Sequence, residues 1–379
     1  MYNKVQEGPT YYSYIAFDLF GGELMTSTGR PIDLINSLSN ALHTFVSSQW
    51  NGYYKALLQV NNVMSIAEGW PTAPRGTGCW ASAAISGRIF TSVGDPLRRR
   101  ARPAAEHPGQ GFARPGLMAW ELVEEDLDAA SGFLNGLSAD SFYYVSPAAV
   151  TALKARVKLY LGKKGEAKEL AESLIANPNY ALDDFDKIFR SKANKEVIFA
   201  FSCLTEDGSS IKISNQFYSY NHPNKGSYNY RPAGDVMTMY ADNDLRKEVS
   251  ITTLDNLNFV NKYPSGQTGS DPVVISRLAE MYLISAEAQG LNGGLKRLNE
   301  LREKRGLDWV SPGNEADFLD AVLQERRLEF LAEGFRWYDL VRTGKATQTL
   351  GTKDYQCLMP LPSRELLYNP NLKPNNPGY

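Results

Sequence analysis

The chain is poor in the residues that most often carry chemistry. Among 379 residues there are three Cys and three His. Cys79, Cys203 and Cys357 are odd in number and far apart, which excludes a disulfide framework and a CxxC metal site. His43, His107 and His222 are equally scattered and argue against a zinc site or a nucleophile–His–acid triad. No metal and no cofactor is therefore expected. Neither sign of charge dominates: 40 Lys and Arg face 42 Asp and Glu, for a net charge of −2. A nucleic-acid binder usually shows a basic excess, so that class is disfavoured. No apolar run approaches the ~18–20 residues needed to cross a bilayer. The opening MYNKVQEGPTYYSY has no basic-then-apolar leader, which leaves a cytoplasmic protein or one whose targeting segment has been removed.

What is present is a soluble globular composition, 43% apolar and 22% charged, in a chain long enough for a large core. The dominant pattern is helical. Residues 1–33 read as loop and short helix, and one apolar face recurs at helical spacing from Leu34 to Ala67. Helical periodicity returns in MAWELVEEDLDAASGFL from Met118. In SPAAVTALKARVKLYLGK, Ser146 predicts an N-cap, Pro147 a first helical residue and Gly162 a stop. EAKELAESLIAN follows after a tight link, so these two helices form an antiparallel pair of the tetratricopeptide kind. A second pair, RLAEMYLISAEAQ and LKRLNELREKRG, is separated by Gly290, Gly293 and Gly294, and a third stretch runs from ADFLDAVLQERR to Gly344. The expected fold is mainly α: helix pairs forming an α-α superhelical scaffold over 116–177 and 275–345, within one domain. An irregular, loop-rich insertion occupies 178–274, with VIFAFSC as one of a few short strands. Residues 74–115 stand apart, with seven Arg, no Lys and five Pro.

In ERRLEFLAEGFRWYDLVR, charges of both signs alternate at three- and four-residue spacing. Glu325 and Glu329 resemble an acid–base pair, but a solvated or salt-bridged helix face is the simpler reading. Trp337 is assigned to the core, and Trp50 likewise. Asp242 and Asp244 could hold calcium, but loop solvation is the better reading.

The C-terminal segments RLAEMYLISAEA, LNELREKRGL, ERRLEFLAEGFRWYDLVRTGKA and LMPLPSRELLYNPNLKPNNPGY, taken in that order, resemble the SusD/RagB family of outer-membrane nutrient-binding lipoproteins. WNGYYKALLQVNN and ALKARVKLYLGKKGEA agree with the same pattern, so the resemblance covers about 34–72 and 116–379. It implies a tetratricopeptide-like scaffold with the ligand face on irregular loops. It also implies a cell-surface lipoprotein of Bacteroidetes-type bacteria that passes oligosaccharides, or peptides in some members, to a partner TonB-dependent (SusC-like) transporter, without catalysis. Two departures stand out. The lipid-bearing N-terminal Cys is absent, so the precursor N-terminus is expected to be missing, and the membrane is reached only through that anchor. Within 74–115 only Gly94, Asp95, Pro96 and Leu97 match the family, and the segment reads as a frame error that resequencing would test.

Sugar recognition pairs an aromatic ring with amides or carboxylates. The chain holds 21 Tyr, and NQFYSYNHPNKGSYNYRPAGD concentrates Tyr218, Tyr220, Tyr228 and Tyr230 with Asn215, Asn221, Asn224 and Asn229. It is the first candidate site; the plain alternative is a Tyr-rich loop packing on its own domain. Trp309 and Trp70 are further candidates, and Asp18, Glu23 and Arg30 would add polar contacts. Two other classes remain open. An intracellular tetratricopeptide-like scaffold has no need of the Pro-Gly-Tyr tail. A glycoside hydrolase needs two carboxylates about 5–10 Å apart.

Overall fold

The computed structural model describes residues 11–27, 47, 50–52, 55, 58, 116–190, 193–203 and 212–379. Most of the expected 34–67 helix, the whole of 74–115, and Trp70, Arg30 and Cys79 lie outside them. The longer helices are α1 (Tyr11–Phe20), α2 (Gly116–Leu134), α3 (Pro147–Tyr160), α4 (Lys164–Ile175), α5 (Leu278–Lys304), α6 (Glu315–Glu329) and α7 (Arg336–Arg342). The strands are β1 (Leu24–Thr26), β2 (Val197–Phe201), β3 (Tyr230–Pro232), β4 (Ile251–Leu254), β5 (Leu257–Val260) and β6 (Val273–Arg277). They form three two-stranded antiparallel sheets, β1–β3, β2–β6 and β4–β5. Among the described residues no helix is long and apolar enough to cross a membrane.

The helix pairs form where capping and glycine placement demand them. Ser146 accepts a hydrogen bond from the Ala149 N–H, and Pro147 starts α3 where its missing donor costs nothing. Gly162, at φ +72°, turns the chain into α4. α3 and α4 pack on each other, and α5 packs against both α4 and α6. α5 is two arms broken at Gly290, whose φ of 68° and ψ of −173° leave the helical region. The Glu315 carboxylate takes the Leu291 N–H that the break orphans, at 3.0–3.1 Å. A Cβ on Gly294 would sit 2.0 Å from the Ala286 carbonyl oxygen, so only glycine lets the arms approach this closely.

Two expectations need correction. The stretch after ADFLDAVLQERR is not one helix: α6 ends at Glu329, and Ala332 (φ 59°) and Gly334 (φ 78°) reverse the chain before α7. The Gly334 N–H exposed by this reversal donates to Asp18 of α1. The prolines of the C-terminal tail favour extended chain, but the tail is not extended throughout. Ser363–Tyr368 is a helical turn and Pro370–Leu372 a 3₁₀ turn. Asn375 and Asn376 fix its end by hydrogen bonds to Leu361 and Met359. Trp50 packs on Leu361 and Leu372, and Trp337 is fully buried against Phe20 at 5.4 Å.

The charges of the C-terminal motif are buried rather than solvated. Glu329 is fully buried and accepts from Arg246, Arg277 and Arg305. Glu325 pairs with Arg246 at 2.6 Å and Arg302 at 2.7 Å, and Glu196 with Arg305 at 2.6 Å. Glu333 pairs with Lys262 at 2.8 Å and Arg277 at 3.0 Å. The pattern along α6 is therefore tertiary. Its carboxylates meet cations from the loop-rich segment and from the end of α5, not their own helix neighbours. Asp18 and Glu23 are buried in the same region, Glu23 held by Arg327 at 2.8 Å, so neither presents a polar contact to solvent.

Candidate ligand-binding site

The tyrosine loop, residues 212–232, is laid across the β4–β5 hairpin and the turn at 265–271. The hairpin closes through Asp255 and Asn256, both at positive φ (50° and 60°), the geometry of a two-residue mirror-image turn. Phe259 of β5 then supplies the floor. Tyr218 stacks on it at 6.0 Å, Tyr228 tilts against it at 5.2 Å, and His222 lies 4.8 Å from it and 4.5 Å from Tyr218.

The loop is held by its backbone. Ser227 N–H donates to Asn215 O at 2.7 Å and Tyr228 N–H to Tyr218 O at 2.9 Å, folding the loop onto itself. Lys225 (φ 51°) and Tyr228 (φ 47°) occupy the left-handed region, a strained state that such cross-bonds must maintain. A Cβ on Gly266 would lie 1.8 Å from Asn224 O, so the neighbouring turn presses directly on the loop. Asp271 secures that turn by accepting from the Ser265 N–H and Oγ–H. Burial pushes its carboxyl up to about 6, with the Ser265 hydrogen bonds working the other way.

A line of contacts joins this loop to the scaffold. The Lys262 ammonium is buried between the Glu329 carbonyl and the Glu333 carboxylate, both at 2.8 Å. Burial lowers its pKa to about 8, and Glu333 opposes that fall. On one side of Lys262, Asn261 Oδ1 accepts from the Tyr218 hydroxyl at 2.8 Å. On the other, Tyr263 stacks on Phe217 at 5.9 Å and donates to the Ala332 carbonyl. α6 and its charges thus set the position of the tyrosine loop without facing solvent.

The structure separates the candidates by exposure. Tyr220 is 75% exposed, with Lys225 Nζ 5.9 Å from its ring centre, and Asn221 beside it is exposed. Tyr228 is half-buried and donates to the Asn258 carbonyl. Tyr230 sits on β3, opposite Thr26 and half-buried. Tyr218, at 0% exposure, lies beneath the surface, because its ring fills the gap between His222 and Phe259. It supports the loop and has no face to offer a ligand in this arrangement. Trp309 is 65% exposed but stands apart, donating to Glu303 at 3.1 Å with no ring contact or hydrogen bond to the tyrosine loop. Trp70 is outside the described residues. His222 and Phe259 were not singled out from the sequence; no local pattern marks Phe259, since only the hairpin brings it under the loop. Burial lowers the His222 pKa, so its ring is neutral near pH 7.

Two cavities flank other parts of the molecule. One of 710 Å³ is lined by Asp242, Asn243, Glu248, Thr252 and neighbours, with no aromatic ring. Both of its aspartates are already engaged: Asp242 pairs with Lys247, and buried Asp244 with Arg246. Another, of 330 Å³, is lined by Phe142, Tyr180, Ser141, Asn179 and Lys195 among others. Among the described residues no group of three or more His, Cys, Asp or Glu is placed to hold a metal ion.

Comparison with known proteins gives the fold and the site a context. Residues 253–357 match the model of the SusD family. The SusD-like protein P38 of Formosa agariphila is 26% identical in an alignment covering 91% of this chain and 82% of that protein. A SusD superfamily protein from Bacteroides vulgatus superposes with a TM-score of 0.85 at 19% identity, covering 100% of this chain and 97% of that one. Surface glycan-binding protein A from Bacteroides thetaiotaomicron, solved in complex with laminarihexaose, superposes at 0.78 and 18% identity, covering 97% and 94%.

Proposed function

We propose that this chain, a member of the SusD/RagB family, is a cell-surface glycan-binding protein that captures oligosaccharides and delivers them to a TonB-dependent outer-membrane transporter. The observation that carries the reading is the tyrosine loop: an exposed ring, Tyr220, beside exposed and half-buried amides, pre-set by backbone bonds on a fold shared with a laminarihexaose-binding protein. A sugar ring stacks its apolar face on such an aromatic and spends its hydroxyls on amides. Because the loop is already ordered, binding does not have to pay for ordering it. Tyr220, Asn221, Tyr228 and Tyr230 are the proposed contacts, with Tyr218 as their support. Trp309 is proposed as a separate, secondary contact, and Trp70, outside the described residues, stays a proposed contact on its sequence alone. The lipid anchor and the transporter partner are proposed from the likeness to that family.

The reading is of binding without turnover. Residues 212–234 contain no Asp or Glu, so the loop itself supplies no acid–base pair. Glu325 and Glu329 are committed to arginines in the interior. The test is affinity electrophoresis through gels that each contain one polysaccharide. At least one should retard the protein, and Tyr220→Ala should cut that affinity by about tenfold or more, the scale of a lost aromatic anchor. Retardation by none, or equal retardation of the variant, would overturn the assignment of the loop.

A further inference from the structure

Resting on the reading of the loop as a glycan platform, we infer that its ligand is an anionic glycan, one carrying carboxylate or sulfate groups, held by Lys225 and Arg231 of the tyrosine loop. The chain as a whole is balanced, with 40 basic and 42 acidic residues. At that average, residues 212–234 would hold about two or three acids; they hold none, and three cations, Lys212, Lys225 and Arg231. Elsewhere in this protein cations are heavily paired: Arg246, Arg277, Arg305 and Lys262 each meet a carboxylate within 3.1 Å. Among the described residues Lys225, Arg231 and Lys212 meet none.

Their placement is what turns a charge count into a site. Lys225 Nζ lies 5.9 Å from the exposed Tyr220 ring, close enough for an anionic substituent on a stacked sugar to reach it. Its backbone is locked at positive φ by the His222 carbonyl, which accepts the Lys225 N–H at 2.9 Å. Arg231 lies on β3, paired with Met25 of β1, and its field acts on the Tyr228 hydroxyl. Arg231 Nε is buried and has no hydrogen-bond partner. Nothing inside the protein satisfies this donor, and Arg231 as a residue is only partly buried, so a carboxylate or sulfate oxygen would meet the guanidinium from its solvent side. Acids of the neighbouring segments are engaged or peripheral: Glu23 and Asp235 pair with Arg327, Asp271 is held by Ser265, and Asp255 lies in the exposed hairpin turn. A neutral glucan would use the rings and amides but leave both cations unused.

Affinity electrophoresis and titration calorimetry with three probes test this: laminarin (neutral), polygalacturonate (carboxylate) and κ-carrageenan (sulfate). Tighter binding of either acidic polymer than of laminarin is expected, weakening as salt rises from 50 to 500 mM as screening dictates. Lys225→Met and Arg231→Gln should each lower that affinity by about tenfold. Lys296→Met, which removes an exposed cation of α5, should leave it unchanged and so exclude a general charge effect. Which acidic polymer responds tells carboxylate from sulfate. Laminarin bound more tightly than both, with Tyr220→Ala but not Lys225→Met weakening it, overturns the inference while leaving the glycan platform intact. Binding of any probe that none of Tyr220→Ala, Lys225→Met and Arg231→Gln affects overturns both.

Discussion

At the scale of single residues, burial has opposite outcomes for two carboxylates. Burial alone would push Glu329 up, but the fields of Arg305, Arg277 and Arg246 hold it well below the ordinary carboxylate range. Asp18 is as deeply buried without such company. Burial, then the charge of Glu23, raise it well above its usual value; the Gly334 N–H and Lys262 oppose the rise, and Glu333 adds to it. Only one of its oxygens is hydrogen-bonded. A folded-state pKa above the unfolded one means that the native state favours the protonated form, so the contribution of Asp18 is fully present below the ordinary carboxylate pKa of ~3.9. It is lost as pH rises through the raised value. Asp18→Asn keeps the shape and removes the charge. It should match the parent at pH 3 and exceed its melting temperature at pH 8; a variant less stable than the parent at pH 8 would show that Asp18 is ionised and paired.

At the scale of elements, glycine and capping decide where helices turn. Gly294→Ala puts a methyl group 2.0 Å from a backbone oxygen that cannot rotate away, forcing the two arms of α5 apart. A loss of about 1–3 kcal/mol in urea unfolding is expected, the usual range for overpacking; an unchanged midpoint would mean the arms are not this close. These elements were legible in the sequence because their causes are local. Ser146, Pro147 and Gly162 mark α3, the three glycines mark the break in α5, and a short run of β-branched and aromatic residues marks β2. The reversal at Ala332–Gly334 was hidden because the apolar spacing runs straight through it. The interior position of Glu325 and Glu329 was hidden as well: their partners Arg246, Arg277 and Arg302 come from distant parts of the chain, and spacing along one helix cannot show them. The tyrosine loop was visible as composition. That Tyr218 lies beneath it and Tyr220 above it depends on Phe259, brought there by a hairpin about 40 residues away.

At the scale of the whole molecule, the helices and the irregular segment are joined by buried charge more than by sheet. Among the described residues the three sheets have two strands each, too few to carry the loops by themselves. Arg246, Lys262 and Arg277, all from or bordering the loop-rich segment, instead close on Glu325, Glu329 and Glu333. Buried ion pairs add little net stability but fix one arrangement, because a displaced partner leaves an uncompensated interior charge. That suits a protein whose task is to hold a rigid face toward solvent. The central claim, that this face binds a glycan and does not cut it, is tested most directly by titration calorimetry with a polysaccharide that retards the protein, followed by reducing-end analysis of the same mixture after overnight incubation. Saturable heat of binding is expected, weakened about tenfold or more by Tyr220→Ala, with no new reducing ends. Release of shorter oligosaccharides by the purified chain would contradict it.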